Sequence, residues 1–274
     1  MAEFNIERFV DLSGAVDLSD LDWKLCREAG LTDAEERILK YLGDTETHTI
    51  LYMRDLLAGH SARDSEITAF LSVWVYEELW HGRAISRLLA EAGRPEDADR
   101  YRKVTQASSI RETVEGILSQ SAAHLTPRFI PAHMTWGAIN ELTAAAAYGA
   151  LIETTKNPVL AELLRRIVKQ ERKHYSFYFK QAHKRLEDDS WAQALTRFVI
   201  KRFWTVVGSG VGGWDNLGFI AALHFDTHEK RAPLRDAEAT IQGLPGMEWF
   251  NILDKQVARL AETYVARHGA PVAA

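Results

Sequence analysis

Two short stretches of the chain share one chemical spacing. WVYEELWHGR, residues 74–83, sets Glu78 three residues before His81, and KQERKHY, residues 169–175, sets Glu171 three residues before His174. Positions i and i+3 of a helix share a face, so each pair can offer a carboxylate oxygen and an imidazole nitrogen to one cation. Each pair also interrupts an apolar stripe, with Leu71, Val75 and Ile85 around the first and Leu164, Ile167 and Tyr178 around the second. An unpartnered carboxylate taken out of water costs several kcal/mol, so both placements need compensation. With ten histidines in 274 residues, chance alone gives roughly one Glu-x-x-His match, and a single match reads as a local ion pair. In EELWH, Glu77 and Glu78 both lie within reach of His81, and the matching ERKH spacing selects Glu78.

Two further segments add weight. Glu46 occupies an apolar position in the stripe Leu39, Leu42, Ile50, Met53, Leu57, and Glu141 is the only carboxylate in the apolar section from Ala132 to Ile152. Four long helical segments therefore each turn one glutamate toward the core. Arg83 and Lys173 fall off these stripes, so they leave four buried negative charges unneutralised, whereas two divalent cations balance them. Glu46, Glu78, His81, Glu141, Glu171 and His174 then form one ligand set. One glutamate from each of two helices, with Glu-x-x-His from two others, is the arrangement of di-iron and di-manganese carboxylate bundles. Oxygen and imidazole donors with open positions suit iron or manganese better than a closed structural zinc site.

The elements that must position these residues are helical nearly throughout. TDAE at Thr32 is a capping box opening a first long helix that ends before Gly59. A second spans about 64–92 and stops at Gly93, and a third spans about 132–155. A fourth starts at Asn157-Pro158, a capping residue followed by proline at the first helical position, and continues to about 187. Shorter helices are expected within 96–121, near 190–206 and near 215–230, around the break GSGVGGW, with a last one over 245–267. The expectation is an all-α fold: one domain over residues 1–274, with a four-helix core at about 32–187 and accessory helices at about 188–268.

Apolar residues make up 46% and charged residues 26% of the chain, with a net charge of −5 and both signs well mixed. That balance points away from nucleic acid and from an anionic membrane surface. One cysteine, Cys26, excludes an internal disulfide and any multi-cysteine metal site. The start MAEFNIERFV lacks the basic and apolar regions of a signal peptide, and no apolar run is long enough to span a bilayer. A cytoplasmic location is expected.

In ETHTI, EELWHG, NELT and ERKH, in that order, the chain resembles the ferritin-like di-iron carboxylate superfamily, and within it the soluble acyl-acyl-carrier-protein desaturases. The resemblance covers roughly residues 35–185 and includes Gly82, after the histidine of the second helix. It implies a ferritin-like four-helix bundle holding two iron ions, with a mixed iron–manganese pair also compatible. It further implies an O2-dependent oxidoreductase, desaturating or oxidising a fatty acyl chain on acyl carrier protein or another thioester. A ferredoxin-type electron donor and a homodimer go with that reading. Oxygenation or N-oxidation of another small molecule is the alternative within the enzyme class, and a ferritin- or rubrerythrin-like iron handling protein the alternative outside it. About 90 residues after the last motif argue against a plain ferritin, and Ile85 stands where a ribonucleotide reductase radical subunit carries its tyrosine. Two departures bear on the reaction: Ala144 stands where the desaturases carry a threonine, and Gln170 where they carry an aspartate bonded to a ligand histidine. An amide at Gln170 still accepts that bond but adds no charge, leaving the histidine less basic.

Other features read more simply. His224 and His228, with Asp226 between them, have metal-compatible spacing but suit an exposed turn better. His133 reads as a helix-start residue. Ala144 to Ala147 reads as close helix packing, with room beside Glu141 for an elongated substrate as the functional reading. Trp80, between Glu78 and His81, is a candidate for electron transfer, and Arg197, Lys201 and Arg202 for a basic face toward an acidic carrier. No phosphate loop or nucleophile elbow is present.

Overall fold

In the computed structural model, residues 4–96, 99–100, 126–209 and 213–272 are described. Ten α-helices and no strand lie among them: α1 (Ile6–Asp11), α2 (Trp23–Ala29), α3 (Asp33–Ala58), α4 (Ser65–Glu91), α5 (Ile130–Thr154), α6 (Pro158–Leu186), α7 (Ser190–Phe203), α8 (Gly213–His224), α9 (Ala232–Gln242) and α10 (Leu253–His268). No helix among the described residues is long and apolar enough to cross a membrane.

The ends of the long helices follow local chemistry. Glu35 accepts from the Thr32 backbone N–H at 2.8 Å while Thr32 Oγ1 accepts from the Glu35 N–H at 3.2 Å, a reciprocal cap. The Asp64 carboxylate caps α4 through the Glu66 and Ile67 N–H groups. Asn157 caps α6 through the Val159 and Leu160 N–H groups, with Pro158 at the first helical position. Beyond α4 the chain turns at Gly93, whose φ of +78° is costly for any other residue.

The expected third helix starts two residues earlier than its periodicity indicates, after a 3-10 turn at Pro127–Phe129. Three elements were not expected: α1, α2 and α9. The first two span 6 and 7 residues, too short for an apolar repeat to declare itself. The expected stretch over 215–230 ends at His224, and the expected last helix begins only at Leu253, with α9 between them. Glycine-proline punctuation at Gly243–Gly246 ends α9, and the chain runs irregularly to Ile252. The helices expected within 96–121 fall mostly outside the described residues, as does the centre of GSGVGGW.

The core is assembled from two packed helix pairs, α3 with α4 and α5 with α6, which meet where α4 packs on α6. Ile67, Phe70, Leu71, Ile85 and Leu88 of α4 are buried with Leu160, Leu163, Leu164, Ile167 and Phe177 of α6, and the Phe70 and Phe177 rings stack at 3.9 Å between centroids. α3 approaches α4 closely because Gly82 has no side chain: a Cβ there would lie 2.6 Å from Thr47 Oγ1 and 3.3 Å from the Gly43 carbonyl oxygen. At Gly137 of α5 a Cβ would meet the buried Tyr178 ring at 2.5 Å. That ring is enclosed and cannot move aside. Gly137→Ala should therefore lower stability by about 1–3 kcal/mol, read as an earlier thermal midpoint. An unchanged midpoint would show that α5 and α6 can separate without loss.

Candidate metal centre

Each long helix delivers its glutamate to one buried point. Glu46 of α3, Glu78 and His81 of α4, Glu141 of α5, and Glu171 and His174 of α6 are all buried, none more than 6% exposed. The two Glu-x-x-His pairs face each other across the α4–α6 contact. His81 Nδ1 lies 3.4 Å from Glu46 Oε2 and 3.3 Å from Glu171 Oε1. His174 Nδ1 lies 3.1 Å from Glu78 Oε1, 3.4 Å from Glu171 Oε2 and 3.7 Å from Glu141 Oε2.

Two overlapping groups result, in each of which one potential donor atom per residue lies within 4.8 Å of all the others: Glu46, Glu78, His81 and Glu171, and Glu78, Glu141, Glu171 and His174. Glu78 and Glu171 belong to both. Several buried atoms in this space lack a hydrogen bond, namely Glu46 Oε2, Glu78 Oε1 and His81 Nδ1. Buried polar atoms are nearly always bonded, so three orphaned donor atoms within the two groups fit a place for a cation. The donor set of three carboxylates and one imidazole in each group suits a hard divalent ion of the iron or manganese kind.

The electrostatics describe the same strain. Burial, then the neighbouring Glu171, Glu46 and Glu141, push the Glu78 carboxyl well above its usual range. Burial and Glu171 do the same to Glu141. Burial also works to raise Glu171, but the facing Glu141, His174 and His81 side chains outweigh it and hold Glu171 well below the usual value. Both histidines resist the lowering effect of burial because carboxylates surround them, and both are raised well above the ordinary imidazole value. The cluster thus favours taking up positive charge, as protons or as cations.

Four groups beyond the six complete the site: Trp74, Tyr148 and Gly14, of which nothing was expected, and Glu77, set aside in favour of Glu78. The Trp74 indole N–H donates to Glu141 Oε1 at 3.0 Å, and the buried Tyr148 hydroxyl donates to Glu46 Oε1. The Glu77 carboxylate is fully buried and pairs with His174 Nε2 at 2.7 Å, so it partners the histidine of another helix and not His81. Gly14 meets this network through its backbone. A periodic signal existed for three of them: Trp74 lies four residues before Glu78, Glu77 four before His81, and Tyr148 seven after Glu141. Trp74→Phe should loosen a cation held by Glu141 by about 10- to 100-fold, the usual effect of removing a partner of a metal ligand, measured by competition with a chromogenic chelator. Equal affinity would mean the indole only packs.

Gln170 accepts from His81 Nε2 at 2.8 Å through its amide oxygen, as expected of an amide in that place. Lys173 lies off the stripe, as expected, and its Nζ comes within 3.6 Å of Glu77 Oε1, a carboxylate outside the four. Thr143 is buried and donates to the Ile139 carbonyl of its own helix at 2.7 Å. Trp80 sits on the outer side of α4, beside Tyr76 and Arg83, while Trp74 is the indole at the site. His224 ends α8 buried, whereas His228 is exposed in the following turn, so the pair does not share a helical face. His133 lies in the first turn of α5 and bonds Ser61 Oγ at 2.9 Å, apart from the cluster. Lys201 and Arg202 lie over the Trp249 and Phe203 rings, and Arg197 donates to the Gly246 carbonyl.

Comparison with protein-family models, curated proteins and solved structures finds no match to this chain. Its function has to be read from the chemistry of the site.

Proposed function

We propose that the chain is a ferritin-like di-iron oxidoreductase that uses O2 to desaturate or oxidise an apolar acyl chain, carried as a thioester and supplied with electrons by a ferredoxin-type donor. The observation that carries the metal part is the pair of overlapping four-residue groups sharing Glu78 and Glu171. The acyl part rests on the resemblance of the four glutamate motifs and their order. When bound, a pair of iron ions supplies the reduction of O2 and the oxidising power to attack an unactivated C–H bond.

The chain's own residues have separable tasks in this reading. Glu78 and Glu171, common to both groups, would serve both positions, and Glu46 and Glu141 would each complete one of them. His81 and His174 present Nδ1 to the cluster because their Nε2 atoms are held from behind by Gln170 and Glu77. Tyr148 and Trp74 fix the orientation of Glu46 and Glu141. Phe9, Phe70 and Phe177 shield the His174 side from water, with the Phe9 and Phe70 rings 6.4 and 6.2 Å from the imidazole. Ala144, in place of threonine, leaves that position without a hydroxyl to hold or deliver a proton.

The test has two parts. Protein produced with iron and manganese is assayed for bound metal. Less than about one ion per chain, unchanged in Glu78→Ala or His174→Ala, removes the metal reading, since a site that binds cations must lose them with its ligands. Reduced protein is then given O2 and a panel of acyl-carrier substrates, with products read by mass spectrometry. New double bonds or hydroxyl groups support the acyl oxidoreductase. Oxygen uptake only while iron mineralises replaces it with iron handling.

A further inference from the structure

The two positions in the cluster have matched donors: three carboxylates and one imidazole each, with Glu78 and Glu171 shared. Even the supports of the unshared glutamates correspond, since Tyr148 donates to Glu46 and Trp74 to Glu141. What differs lies behind the histidines. His174 Nε2 meets a carboxylate, Glu77 Oε2, at 2.7 Å, whereas His81 Nε2 meets an amide oxygen, Gln170 Oε1, at 2.8 Å.

The orientation of these groups follows from their hydrogen bonds. The Gln170 amide nitrogen donates to Glu77 Oε1 and to the Gly14 carbonyl, both at 2.9 Å. Its oxygen must therefore be the atom facing His81, and His81 must donate from Nε2. Glu77 accepts from the Gly14 N–H at 3.1 Å as well, and an ionised carboxylate has no proton to give. His174 accordingly donates from Nε2 too. Both imidazoles are locked with Nδ1 turned inward, but only one is backed by a full negative charge. A carboxylate behind a ligand histidine raises its basicity and its hold on a metal. Lys173, 3.6 Å from Glu77 with its side chain 30% exposed, offsets part of that charge but is screened by solvent.

We infer that the two metal positions are unequal and fill in order: a first divalent cation takes the position of Glu78, Glu141, Glu171 and His174, and a second takes that of Glu46, Glu78, His81 and Glu171, with Glu77 and Gln170 as the positioning residues that set the order. The inference rests on the metal reading above. It gives the segment around Gly14, which carries no motif, a function: its N–H and carbonyl clamp Glu77 and Gln170 in register.

The decisive measurement is anomalous diffraction from metal-free protein given one equivalent of Mn(II), with Mn(II) or Co(II) titration against a competing chelator in solution. Occupancy of the first equivalent should favour the His174 position by about 10-fold or more, the lower end of the effect of such partners. Glu77→Gln should weaken that position by about 10- to 100-fold, and the exchange Glu77→Gln with Gln170→Glu should reverse the order. Even occupancy, preference for the His81 position, or an order unchanged by the exchange in a variant with wild-type circular dichroism overturns the inference while leaving the metal reading intact. No cation at either position overturns both. If the exchanged variant does not fold, the wild-type occupancies alone decide.

Discussion

Glu78→Gln should empty both metal positions, whereas His81→Ala should empty only one. Glu78 belongs to both four-residue groups, and His81 to one. The amide is nearly isosteric but carries no charge, so each cation loses a third of its carboxylates. Loss of a ligand should exceed the 10- to 100-fold effect of removing an outer partner, which corresponds to more than about 3 kcal/mol at each position. The same substitution should leave the metal-free protein at least as stable as the wild type. In the metal-free chain Glu78 is held well above its usual pKa by burial and by three other carboxylates, so its charge opposes folding. Folding of the wild type must either bury that charge or take up a proton, each at a cost, and Gln avoids both while keeping the volume. A gain of 1 kcal/mol would raise the midpoint by about 2–4 °C for a large domain. Metal analysis and thermal melts of the two variants read both effects. Equal metal loss in Glu78→Gln and His81→Ala would contradict the shared-ligand geometry.

The second large effect is on pH. In the metal-free protein His81 and His174 have raised pKa values, and so do Glu78 and Glu141. The folded chain therefore holds more protons than the unfolded chain once pH exceeds the unfolded carboxylate value near 4.5. Stability must then fall as pH rises, by about 1.4 kcal/mol per pH unit for each extra proton held. The stabilising share of the histidines is complete below their unfolded value near 6.5 and is lost as pH climbs through the raised folded values. Glu171 and Glu77 are depressed and work the other way, but their contribution is lost only as pH falls below about 4.5. Between about pH 5.5 and pH 8 the metal-free midpoint should decline.

Added Mn(II) or Fe(II) should show the opposite trend. Cations displace these protons, so affinity grows as pH rises, and the stabilisation by metal grows with it. Melts with and without Mn(II) across that interval test both slopes. A metal-free midpoint that rises with pH would mean that the clustered groups are not protonated in the folded chain.

Each element of the site was legible to a different degree. Glu46, Glu78, His81, Glu141, Glu171 and His174 could be selected from the sequence because each breaks an apolar stripe, and the stripe itself identifies the face that turns inward. The caps at Thr32 and Asn157 were legible for a related reason, since a cap is made within a few residues of chain. Helices α1, α2 and α9 were not, because a helix of two or three turns shows too few periods to separate its pattern from chance. Trp74 and Tyr148 share faces with the six but have side chains that also suit simple packing, so their spacing alone does not tell a hydrogen-bond donor from a filler. Glu77 was in view as a neighbour of Glu78, but its partner, His174, lies on another helix.

What the sequence determined by itself is therefore local: helix after helix, with one carboxylate turned inward from each of four, and two histidines placed one turn further on. That each imidazole meets the glutamates of other helices was decided by the tertiary structure, as was the pairing of Glu77 with His174 and of Gln170 with His81. Periodicity states which side of a helix is buried, because 3.6 residues make a turn wherever the helix lies. It cannot state which residue of a neighbouring helix arrives opposite, because that depends on crossing angle and axial offset, and here on close approaches such as the one at Gly82. The difference between a carboxylate and an amide behind the two histidines became visible only once α4, α6 and the Gly14 segment were brought together.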